Sequence, residues 1–82
     1  MPEISPFELD RMILSALQLR WRKTASIIAT VGRECEARQL PIAHEDIAER
    51  IIALSEAGMI NSQGNLENWR YSEISLMPEQ GV

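Results

Sequence analysis

The 82-residue chain has one cysteine, Cys35, so no disulfide can close within it. A lone thiol suits a reducing compartment. Histidine is equally scarce, with His44 alone. A zinc site needs several nitrogen or sulfur ligands, and these two residues are too few. Their settings also differ, Cys35 in an apolar helical stripe and His44 at a helix start, which argues against a Cys–His catalytic pair. Long apolar runs are lacking, so no segment is expected to span a membrane. The start "MPEISPFELD" has neither the basic end nor the apolar stretch of a signal peptide. A bacterial cytoplasm is the expected compartment. A glycine-rich phosphate loop is missing too, because Gly32 in "GRE" and Gly64 in "QGN" lack its spacing. Basic charge is in short supply. The formal net charge of -4 disfavours polyphosphate partners, although a local basic patch could still bind one. No repeat, low-complexity tract or linker divides the chain.

What is present is an ordinary apolar content, 45% of residues, enough for one small domain. Residues 4–78 are read as that domain, with termini 1–3 and 79–82 expected to fray. The first helix, about 6–18, opens on "ISPFEL". Ser5 is placed as N-cap, Pro6 at N1 and Glu8 at N3, with Ile4 and Leu9 as a hydrophobic staple. Leu9, Met12, Ile13, Ala16 and Leu17 share its buried face. The second helix is expected over about 21–38, with Trp21, Ala25, Ile28, Val31 and Cys35 as its stripe. Gly32 inside it implies close packing, since glycine costs roughly 1 kcal/mol there. Pro41 forbids continuation.

The third helix is expected over about 44–57. Ala43 is its cap, Ile42 and Ile47 its staple, and Glu45 and Asp46 favour its dipole. Ile47, Ile51 and Leu54 form its stripe. Gly58 is placed in the left-handed conformation of a Schellman ending, with Leu54 and Met59 as its apolar pair. Two strands follow, near 59–63 and 69–76, around a loop of Gly64–Asn68. Three helices and a C-terminal β-hairpin make an α+β, winged-helix-like domain.

Four segments carry a resemblance: "WRKTASII", "IAERIIALSEAGMI", "SQGNLENWRYSEISL" and the proline just beyond, Pro78. Together, over roughly residues 12–78, they resemble a small bacterial domain of unknown function. That domain occurs alone or at the C-terminus of longer proteins. The resemblance implies no activity and supplies no catalytic residue.

Two aromatic–basic features remain. "LQLRWRKTASII" holds Arg20, Arg22 and Lys23 around Trp21 without an acid. Arg22 and Lys23 point away from the predicted buried stripe, so they are expected in solvent. Trp69 and Tyr71 would share one face of the last strand, with Ile74 and Leu76 on the core face. The two rings are expected either to fold over the helix ends at the core edge or to meet a partner, since such aromatics are favoured at interfaces. On the third helix, Glu45, Asp46, Glu49 and Glu56 stand against Arg50 alone. Such a helix would be repelled by DNA phosphates. These acids read as a solvated face rather than a catalytic or magnesium cluster.

The sequence therefore points to a non-catalytic protein-interaction or accessory module without cofactor or metal. Its partner would be another protein, with homodimerisation left open. Trp69, Arg70, Tyr71, Trp21 and Arg22 are the expected partner-binding residues. The alternative is a winged-helix nucleic-acid-binding regulator using Arg20, Arg22, Lys23 and Arg70 on phosphates.

Overall fold

The computed structural model describes residues 5–77. The expected fraying of the termini and the Ile4 half of the first staple lie outside them. Helix α1 covers Pro6–Ala16, strand β1 Arg22–Lys23, α2 Thr24–Ala37 and α3 His44–Glu56. Strands β2, Ile60–Gln63, and β3, Glu73–Leu76, close the fold. A 3₁₀ turn at Trp69–Tyr71 lies between them. The sheet is antiparallel in the order β1-β3-β2. This is the α+β, winged-helix-like order that the sequence implies, with one short strand added.

Local signals set the helix ends. The Glu8 N–H donates to Ser5 Oγ at 3.2 Å, and Pro6 occupies the first turn. At α3, the Ala43 N–H donates to the Asp46 carboxylate at 3.0 Å. At its other end Gly58 has φ +75°. There the Met59 N–H reaches the Leu54 carbonyl and the Gly58 N–H the Ser55 carbonyl, both at 3.0 Å. Those two bonds are the Schellman pair.

The three helices pack on one another around a core to which each contributes its apolar stripe. Leu9, Met12 and Ile13 come from α1, Ile27, Ile28, Val31 and Cys35 from α2, and Ile47, Ile51 and Leu54 from α3. Ile60 of β2 and Ile74 of β3 complete it. Gly32 is a close-packing position, as expected. A Cβ there would come within 2.8 Å of the His44 imidazole.

The structure corrects the sequence at three places. First, α1 stops at Ala16, because Leu17 turns into extended backbone. Second, α2 begins at Thr24 rather than Trp21. Arg22 and Lys23 pair with Ile74 and Glu73, and the Thr24 N–H donates to the Ser72 carbonyl at 3.0 Å. A buried Ser72–Thr24 hydroxyl bond of 2.9 Å fastens the same point. With its neighbours' backbone committed to the sheet, Trp21 cannot start the helical stripe. It remains 43% exposed, and Thr24 and Ile27 take the buried positions. Third, residues 69–72 are not strand. Asn68 bonds back to Asn65 and Tyr71 to Asn68, both at 2.9 Å. The connection thus runs from Gly64 to Ser72. Ile74 does face the core, and Leu76 packs against it.

Candidate functional site

The Gly64–Ser72 connection separates two open grooves. Its path depends on Gly64, which has φ +84°. A Cβ there would lie 2.9 Å from the Tyr71 carbonyl oxygen and 3.1 Å from the Ser72 Cα. Glycine alone suits both the backbone angle and the contact.

The first groove, about 340 Å³, lies at the hairpin end of the sheet. The register sets Lys23, Glu73 and Gln63 in one row across the three strands. Cross-strand partners share a face, so these three side chains are neighbours. The Gln63 amide donates to Glu73. Arg70 and Tyr71 form the opposite wall, with Tyr71 80% exposed. Two cations, an aromatic ring and one carboxylate thus line the same groove.

The second groove, about 240 Å³, lies between α3 and the connection. Glu45, Ala48, Glu49 and Ile52 form its helical wall. Their spacing of three, four and seven residues puts them on one stripe. Leu66, Glu67 and Trp69 form the other wall. Leu66 and Trp69 are partly buried and pack on the core. The Arg70 guanidinium lies over the Trp69 ring, 5.8 Å from its centre. Apolar side chains line the floor, and three glutamates rim it.

The one cation of α3 is turned away from this rim. Arg50 makes two 2.9 Å hydrogen bonds to the Asp10 carboxylate of α1. These bonds push the Arg50 pKa above its ordinary value. Arg38 similarly bridges Glu34 and Glu8, at 2.6 and 3.7 Å, across a third, mixed-charge groove between α1 and α2.

The expected partner-binding residues are divided between the two grooves and the edge strand. Arg70 and Tyr71 share the first groove with Lys23, whereas Trp69 belongs to the second. The prediction that Trp69 and Tyr71 share a strand face fails, because three residues per turn rotate a two-residue step by about 240°. Trp21 and Arg22 sit by the edge strand β1, with Arg22 half-buried. Of the four proposed phosphate contacts, only Lys23 and Arg70 line one groove. Arg20 donates instead to the Gln18 side chain at 2.7 Å. Gln63, Leu66 and Ile52 were not foreseen. Leu66 carried a signal, being the one apolar residue in "GNLEN".

Cys35 is buried in the core, and desolvation, with Glu34 adding to it, raises its pKa. Burial of this kind disfavours the thiolate form. His44 is exposed and lies over Gly32. Among the described residues, no group of three or more His, Cys, Asp or Glu could hold a metal ion. Also among them, no helix is long and apolar enough to cross a membrane. Comparisons with protein families, curated proteins and solved structures find no match to the chain.

Proposed function

We propose that this chain is a non-catalytic protein-interaction or accessory module of a bacterial cytoplasm. In this reading it is a small domain of the kind its sequence resembles, and it meets a protein partner through α3 and the hairpin connection. One observation carries the proposal. The third helix is the element that a DNA-binding helix-turn-helix lays in the major groove. Here it offers Glu45 and Glu49 beside an apolar floor, while its only arginine is held by Asp10. Apolar surface with a charged rim is the anatomy of a protein contact.

The alternative, a nucleic-acid-binding regulator, is favoured by the first groove. An exposed tyrosine between cations can stack a base and meet phosphates. Lys23 and Arg70 supply only two phosphate contacts, however, and Glu73 lines the same groove. Two contacts imply a salt-dependence slope of about -2, far below the slope of about -10 of a strong DNA binder.

Titration with random-sequence duplex DNA separates the two. Binding no tighter than about 10 μM at physiological salt is expected. A submicromolar band shift in that buffer would establish the regulator reading instead.

A further inference from the structure

We infer that the groove between α3 and the hairpin connection receives a basic amphipathic helix of a partner protein, apolar side chains down and lysines or arginines against the glutamate rim. The inference rests on the interaction-module reading and names the chemistry of the partner.

The groove's size excludes one class of occupant. Sites for drug-sized molecules enclose about 300–1,000 Å³. This one holds about 240 Å³ and is open to solvent, room for one or two side-chain anchors. Its shape suits a helix. The wall from Glu45 to Ile52 spans seven residues of α3, about 10 Å of rise, or two turns. A second helix laid along it would place anchors at i, i+3 or i+4, and i+7 between Ile52, Leu66 and Trp69. Trp69 is the strongest anchor partner, since tryptophan is enriched where binding energy concentrates.

Charge completes the assignment. Glu45, Glu49 and Glu67 stand on both walls, so an occupant meets carboxylates from two directions. Arg70 lies over the Trp69 ring but lines the other groove, and no lysine or arginine lines this one. An acidic or neutral segment would leave the rim repelled or uncompensated, whereas a basic one is attracted. The chain's own basic run does not suit this role, because Arg22 and Lys23 are fixed in β1 by pairing to β3 and would come from a second copy on a strand edge rather than a helix.

The test uses the full chain and two synthetic peptides of about 14 residues, four helical turns. One has leucine at i, i+3, i+4 and i+7 with lysine elsewhere, and the other has glutamate in place of lysine. Binding is followed by ¹H–¹⁵N NMR. The basic peptide is expected to bind weakly, on the order of 100 μM for so small a contact. It should shift Ile52, Leu66 and the Trp69 indole. Replacing the rim with Glu45→Gln, Glu49→Gln and Glu67→Gln should weaken it about tenfold, the sum of three modest exposed pairs. The variant Glu36→Gln, the same kind of change on the exposed face of α2 and away from the groove, should leave it within about twofold. Equal binding of the acidic peptide, equal loss in both variants, or shifts centred on Lys23 and Tyr71 would overturn the inference. So would concentration-dependent self-association that the glutamine rim variant abolishes, which would make a second copy the occupant. Submicromolar duplex-DNA binding would instead remove the underlying interaction reading.

Discussion

Trp69 and Tyr71 stand two residues apart, yet they serve grooves of opposite character. Trp69 leans on the core beside α3, within a glutamate rim. Tyr71 stands out in solvent between Lys23 and Arg70. The 3₁₀ turn makes this division, because a strand would have sent both rings the same way. Fixed local backbone therefore decides which aromatic is structural and which is free. The acid-rimmed groove is half core, and the basic one is mostly surface.

The largest expected effect comes from breaking the turn that separates the grooves. Gly64→Ala adds strain at φ +84° and a contact with the Tyr71–Ser72 backbone. A loss of about 2–3 kcal/mol is expected in urea unfolding. Gly32→Ala is the control. Its added methyl crowds the exposed His44 ring, which can swing away, and reaches Ile47 only at an ordinary contact of 3.9 Å, while the helix gains about 1 kcal/mol of propensity. It should be neutral or stabilising. Equal losses at both glycines would refute the close approach of the connection to Gly64.

Next, Trp69→Ala should cost about 2 kcal/mol, less than the 3–5 of a fully buried tryptophan because Trp69 is only partly covered. A cost below 0.5 kcal/mol, about that of an ordinary surface change, would mean that the ring does not brace α3. A smaller effect is expected at Trp21, whose 43% exposure leaves less apolar surface to lose. Trp21→Ala should cost about 1–1.5 kcal/mol. Of similar size is the link that keeps Arg50 off the rim. A double-mutant cycle of Asp10→Asn and Arg50→Met should give a coupling of about 1 kcal/mol, that of a partly exposed bidentate pair. A coupling near zero would free Arg50 to offset the glutamates of α3.

The helical half was legible because its rules are local. Ser5 and Pro6, the Ile47–Ile51–Leu54 stripe, and Gly58 before Met59 each act within a few residues. The sheet half was less legible because its rules are not. Nothing near Arg22 announces its pairing with Ile74, 52 positions away. Without that pairing, Trp21, Ala25 and Ile28 read as a continuous helical stripe, and the tryptophan was placed in the core. The connection misled for another reason. "WRYSEISL" has the β-rich look of one strand, yet the Asn68 carbonyl captures the Tyr71 N–H and holds its first part in a turn. Of the residues lining the first groove, the sequence singled out Arg70 and Tyr71 for a partner, and joined Lys23 to Arg70 only as a phosphate contact of the alternative reading. Only the register of β1 on β3 brings it beside them.

The smallest effect is expected in the basic groove, from the double variant Lys23→Ser, Tyr71→Ser. Lys23 is exposed and, as the N-cap of α2, makes no side-chain capping bond. Its part in β1 is played by its backbone, which serine keeps. Serine is also a good N-cap, so α2 could gain slightly. Tyr71 has little apolar surface to lose, being 80% exposed. Its backbone N–H still bonds to Asn68 after the change. The two effects should leave stability within about 0.5 kcal/mol of the parent in urea unfolding. The Trp69 indole resonance should also stay in place, since the acid-rimmed groove shares neither residue. A loss beyond about 1 kcal/mol, or a displaced indole, would show that the two grooves are one coupled structure. The division drawn between Trp69 and Tyr71 would then be wrong, and the whole connection would have to be treated as a single contact surface.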